Sequence, residues 1–193
     1  MRFYSLEFDI FNSSAWRVGD VQEIDNWRLV SPPALSMDDE IRNKKLYAPI
    51  ESDGRRTDFT VIGYADIPMV NFKTLKAIPG SNGFTAIPIL FTGGRQKDTY
   101  HLLHVWESVD CFDRKESCYN VFSSDDPDFS DRAGEYCSVT KLILNPDRAT
   151  GKDIFRISGL LDVIVISEKL KDRLEKIGVT GVSFKSVNAD DYL

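Results

Sequence analysis

Residues 162–184 constrain this chain more than any other stretch. Val163, Ile164, Val165 and Ile166 stand in a row between Asp162 and Ser167, the pattern of a short strand buried on both faces. Ser167 is an N-cap type whose hydroxyl can accept from the free N–H groups of a first helical turn, and Glu168 suits the positive end of the helix dipole. Leu170 occupies the third helical position, so there is no capping box. Leu170, Leu174 and Ile177 follow at i, i+4 and i+7 as one narrow apolar stripe, with Asp172 and Lys176 four apart in the favourable acid-first order. Gly178 is a stop, and Val179 to Phe184 reads as a second strand. The unit is strand–helix–strand and carries no catalytic signature, which makes it scaffold.

A similar order recurs upstream. Asp66-Ile-Pro-Met-Val-Asn71 matches the earlier pattern of an acid, four mostly apolar residues and an N-cap type. Phe72, Leu75 and Ile78 then recur at helical spacing before Pro79-Gly80 and a strand from Gly83 to Ile87. Two explanations are open: an internal duplication, or two unrelated strand–helix–strand units.

Elsewhere strands dominate. Residues 1–11 read as an opening strand and Asn12–Ser14 as a turn, with a short strand or irregular stretch over Trp16–Val30. Ser31-Pro32-Pro33 is a breaker, and Ser36–Glu40 offers a short helix start. Leu46–Ile50 contains Pro49 and is expected at a sheet edge, followed by a mobile loop over residues 51–57 and a strand over residues 58–63. Ile87–Phe91 and Tyr100–Val105 flank Gly93-Gly94 in a polar connection, a hairpin signal. Ser123–Gly134 is the clearest loop, and Val139–Leu144 is a strand ended by Asn145-Pro146-Asp147. The expected fold class is α+β: mostly antiparallel sheet, two strand–helix–strand modules and few short helices, in a single domain spanning residues 1–193.

The run IFRISG through VIVISEKLKDRLEKIGVTGVSF, with DTYHLLHVWESVDCFDRKES upstream, resembles a family of bacterial polymorphic-toxin immunity proteins, the immunity protein eleven family. The resemblance covers residues 59–187 and consists of spaced apolar and small residues around an Asp110-Cys111-Phe112-Asp113 cluster; residues 1–58 are left unassigned. It implies a non-enzymatic protein that binds and neutralises a toxin made by the same cell. That cognate toxin is the expected partner.

Charge placement bears on such a partner. The net charge is −6, and residues 105–135 carry nine acids against three bases, which accounts for the whole excess. Direct nucleic-acid binding is disfavoured, since it needs a basic footprint, and a basic protein partner is favoured. The alternative is a solvated acidic loop that only aids solubility. Trp106, Glu107, Asp110, Asp113, Asp125, Asp126, Asp128 and Asp131 are the interface candidates, with Tyr119, Phe122 and Phe129 as neighbouring aromatics able to anchor a contact. Such a loop could occupy the basic site of a toxin that attacks nucleic acids or nucleotides.

Other chemistries fit less well. His101, His104, Cys111 and Cys118 supply four metal-ligand types, but no pair has the tight spacing of a zinc knuckle. In a strand the two histidines point to opposite faces. Asp110 beside Cys111 raises a thiol pKa rather than lowering it. No serine nucleophile elbow occurs, and Gly93-Gly94-Arg95 lacks the Lys-Ser/Thr of a phosphate loop. The expectation is therefore no enzyme activity, no metal and no cofactor. The runner-up is a small enzyme or ligand-binding protein using the His101/Cys111 region.

The odd count of three cysteines suits free thiols. The first eleven residues hold Glu7 and Asp9 but no apolar core of signal-peptide length. No apolar run approaches the roughly 18 residues of a membrane span, so cytoplasmic residence, and a toxin acting in the cytoplasm, are expected.

Overall fold

The computed structural model describes residues 2–9, 14–30, 41, 44–79, 83–93 and 99–188. The helix start expected at Ser36–Glu40 lies outside the described residues.

In chain order the strands are β1 (Phe3–Phe8), β2 (Arg17–Val18), β3 (Leu46–Ser52), β4 (Phe59–Ile62) and β5 (Ile67–Asn71), then helix α1 (Phe72–Ala77). Strands β6 (Phe84–Thr92), β7 (Tyr100–Val105), β8 (Ser108–Val109), β9 (Cys118–Val121), β10 (Tyr136–Lys141), β11 (Ile154–Ile157) and β12 (Leu160–Ser167) follow. Helix α2 (Glu168–Lys176) and β13 (Val182–Ser186) end the described elements.

Six strands close a barrel in the order β2-β3-β6-β7-β5-β4. Its interior is filled by alternate residues, as the period of a strand requires: Ile87, Ile89 and Phe91 of β6, Tyr100 and Leu102 of β7, Ile67 and Met69 of β5, around a nearly enclosed Trp16. A five-stranded sheet, β13-β1-β12-β11-β8, stands beside the barrel, and β9 and β10 form a separate two-stranded ribbon. Most described pairings are antiparallel; β2–β4, β3–β6 and β8–β11 are parallel.

The module at residues 162–184 forms as its sequence specifies. Ser167 Oγ accepts from the Leu170 N–H at 3.2 Å, and Leu170 and Leu174 are buried on one face of α2. Strand β12 is buried on both sides: Val165 faces one core with Phe3, Phe155 and Ile157, while Ile164 and Ile166 face another with Leu170 and Leu174. Within α2, Lys171 pairs with Glu175 at 2.6 Å and more distantly with Asp172 at 3.8 Å, the closer pair standing one residue before the Asp172–Lys176 spacing read from the sequence. In the upstream module, Asn71 caps α1 through a 2.9 Å bond from the Thr74 N–H.

Both modules share one layout, since β7 lies antiparallel between β5 and β6, and β1 lies antiparallel between β12 and β13. This common layout does not show a duplication of sequence.

Two expectations are corrected. Strand β3 is interior to the barrel and not at an edge, paired with β6 on one side and β2 on the other. Pro49 is tolerated there because it sits at the last β6 register position, two residues before a bulge in β3 at Glu51, while its carbonyl accepts from the Gly19 N–H at 2.9 Å. Residues 51–57 are not free of structure either: β3 runs to Ser52, and Arg55 bridges Ala15. Boundaries also shift, with β10 starting at Tyr136 rather than Val139 and β13 at Val182 rather than Val179.

Candidate functional site

The acidic segment begins where the chain leaves the barrel. The N–H groups of Trp106 and Glu107 both donate to the Gly83 carbonyl, at 3.0 and 3.1 Å, fixing the crossing from β7 to β8. Trp106 is half-buried there, and the Glu107 carboxylate meets Lys152 Nζ at 2.8 Å. At the next bend Asp110 is shared by two arginines, Arg114 at 3.1 Å and Arg148 at 3.3 Å. These pairs are largely exposed and add little stability, but they neutralise the Asp110 charge. Asp113 accepts from the Lys115 and Glu116 N–H groups at 3.0 and 3.2 Å and shapes the turn into β9.

An aromatic triangle roots the ribbon in the core. Phe112, Tyr119 and Tyr136 stand with ring centroids 4.6 to 5.2 Å apart, and Phe112 is buried. From this base β9 and β10 extend to a loop over residues 122–135. The loop is closed at its neck by Phe122 N–H to Glu135 O and Gly134 N–H to Phe122 O, both 3.0 Å. Inside it Phe122 stacks near Phe129 at 5.1 Å, Arg132 lies 4.6 Å over the Phe122 ring, and Arg132 pairs with Glu135 at 2.9 Å. A long loop packed by its own side chains and tied at the neck is a held shape.

The four loop acids differ in role. Asp126 Oδ1 accepts from the Asp128 and Phe129 N–H groups, both at 3.0 Å, and builds the tip. Among the described residues Asp125 accepts only from the Ser124 hydroxyl at 3.5 Å, a long contact. Among the described residues the Asp128 and Asp131 carboxylates have no partner, and Asp125, Asp128 and Asp131 are all exposed. The structure therefore gathers Asp125, Asp126, Asp128 and Asp131 on one loop and leaves three of them as unneutralised charge. Trp106, Glu107, Asp110 and Asp113 lie apart, at the root of the ribbon and beyond it. Sequence reading missed the Asp126 cap, although Asp-Pro-Asp carries the signal of a side chain bonding two residues on.

The His101/Cys111 region offers little for catalysis. Cys111 is fully buried, and burial, reinforced by the nearby Asp110, pushes its thiol up to about 11. His104 is buried in the barrel, with Nδ1 2.8 Å from the Leu29 carbonyl. His101 faces the other way, half-buried against Phe72, and burial lowers its pKa. Among the described residues no three His, Cys, Asp or Glu side chains converge as a metal site. The three cysteines are unbonded, Cys118 and Cys137 being exposed.

Comparison with known proteins places the ribbon and its loop inside a family. The model of the Immunity protein family (Imm11) matches residues 79–189, more than half of the chain, from the approach to β6 through β13. A search of curated proteins finds no match. No helix among the described residues is long and apolar enough to cross a membrane. On the extent of the family match, the chain belongs to the immunity protein family Imm11.

Proposed function

We propose that this chain binds a cognate toxin of a polymorphic toxin system and blocks it by occupation, without catalysing a reaction and without a cofactor. The toxin-facing surface is the loop at the end of the β9–β10 ribbon. One observation carries this reading: Asp125, Asp128 and Asp131 are exposed and unneutralised on a loop whose shape is already held by Asp126 and the Phe122–Phe129–Arg132 stack. A surface ordered before binding loses less entropy on association, and uncompensated charge raises the encounter rate with a basic partner. A toxin acting in the cytoplasm on nucleic acids or nucleotides has the complementary basic site. The whole chain, residues 1–193, acts as one immunity-type domain, and the matching layout of its two strand–helix–strand modules supports reading them as copies of one unit.

The test has two stages. The tagged chain is used to capture its partner from the native host, and the captured protein is then expressed with and without this chain. Growth arrest that only the chain relieves is the expected result. A captured protein that is harmless alone, or whose toxicity the chain does not relieve, contradicts the reading.

A further inference from the structure

The loop is not the only acidic surface of the molecule. Where the barrel meets the five-stranded sheet there is a cleft of about 410 Å³ between the end of β1, strands β2 and β4, and the turn before β13. Asp9, Asp20, Glu51 and Asp66 line it, against a single base, Arg17. Asp20 Oδ1 accepts the Tyr64 N–H at 3.1 Å, and among the described residues none of Asp20, Glu51 and Asp66 has a cation partner. Partial burial raises the Asp66 pKa, the direction that desolvation gives a carboxyl. At the rim Tyr64 is 92% exposed on a turn held by that Asp20 bond. An ordered, exposed tyrosine beside unpaired acids is the composition of an interface anchor.

From this cavity, its charge and its tyrosine we infer that the cleft seats a lysine or arginine side chain of the toxin, as a second contact distinct from the β9–β10 loop. The inference rests on reading the chain as a toxin-binding protein. Strand β1 links the two regions, with Phe3 in the core beneath the ribbon and Phe8 and Asp9 on the cleft. At about 3.3 Å per residue the strand from Phe3 to Phe8 spans roughly 17 Å, from the root of the ribbon to the cleft. The cleft residues before position 79 lie outside the family match, so this contact would add specificity to a shared framework.

The probe is amidated hexa-arginine, titrated into ¹⁵N-labelled protein. The expected result is amide shifts at Tyr64, Asp66 and Gly181 that weaken by about tenfold or more in the Asp20→Asn, Glu51→Gln, Asp66→Asn triple variant. These changes are near-isosteric, and the side-chain amide introduced by Asp20→Asn keeps an acceptor oxygen for the Tyr64 N–H. The Asp125→Asn, Asp128→Asn, Asp131→Asn variant should leave the cleft shifts in place. Shifts confined to residues 125–131, cleft shifts that survive the cleft variant, or no shifts at millimolar peptide would each overturn the inference. Failure of the toxin-binding reading shows separately, as loss of protection in the co-expression test.

Discussion

Asp58 and Thr180, 122 positions apart, hold each other across the junction of barrel and sheet. The Thr180 N–H and hydroxyl both donate to Asp58 Oδ2, at 2.9 and 2.8 Å, and the Asp58 N–H donates back to Thr180 Oγ1 at 3.0 Å. Asn71, the α1 cap, donates to the other Asp58 oxygen at 2.7 Å. Asp58→Ala strands several part-buried donors at once and should cost about 1–3 kcal/mol in chemical denaturation. A loss below about 0.5 kcal/mol would show that water replaces these bonds freely.

The same junction requires a glycine. Gly181 has φ +85°, and a Cβ there would stand 2.1 Å from the Phe59 carbonyl oxygen. Gly181→Ala should destabilise by at least about 2 kcal/mol, combining left-handed strain with a backbone clash. Gly151 has φ +79° with open space around its Cβ position, so Gly151→Ala should show the strain alone, about 1 kcal/mol. Equal midpoints for the two variants would refute the close approach.

Leu174 is 1% exposed in the core shared by α2 and the sheet, whereas Lys169 faces solvent. Leu174→Ala should cost roughly 2–5 kcal/mol through lost transfer energy and a residual cavity. Lys169→Ala should stay within about 0.5 kcal/mol. Indistinguishable urea midpoints would place Leu174 outside the core.

The thiols should divide two to one. Cys118 and Cys137 are exposed and should react with a thiol reagent in the native protein, whereas Cys111 is buried and should react only after unfolding. Because burial raises the Cys111 thiol to about 11, the folded state keeps a proton that the unfolded chain releases near pH 9. That contribution is complete below about pH 9 and is lost as pH rises toward 11. Denaturation of Cys111→Ala should lack this part of the alkaline slope; an unchanged slope would assign it to other groups.

What the sequence disclosed follows the range of the interactions involved. The α2 module was legible because Ser167, the Leu170/Leu174 spacing and Gly178 act within one turn of their targets. The hairpin of β6 and β7 was legible for the same reason. Barrel closure was not: it depends on the two-residue β2, whose Val18 pairs with Ile62, and on the parallel β3–β6 pair that makes Pro49 interior. Charge behaved alike. The acidic excess could be counted, but neutralisation of Glu107 by Lys152 and of Asp110 by Arg148 spans 45 and 38 positions. Only the folded chain separates acids that build the loop from acids that face outward, and only it assembles Asp20, Glu51 and Asp66 on one cleft.

The central claim is that the β9–β10 loop meets the toxin through Asp125, Asp128 and Asp131, and stopped-flow association tests it most directly. Wild type and the Asp125→Asn, Asp128→Asn, Asp131→Asn variant are mixed with the captured toxin over a range of salt, with Asp126 left intact to preserve the tip. Electrostatic steering raises association by about tenfold or more at low salt and fades as the Debye length falls below about 8 Å. The variant should therefore associate more slowly, with a flatter salt dependence and an unchanged unfolding midpoint. Association at the wild-type rate, with the wild-type salt slope, would contradict the claim and place the interface elsewhere.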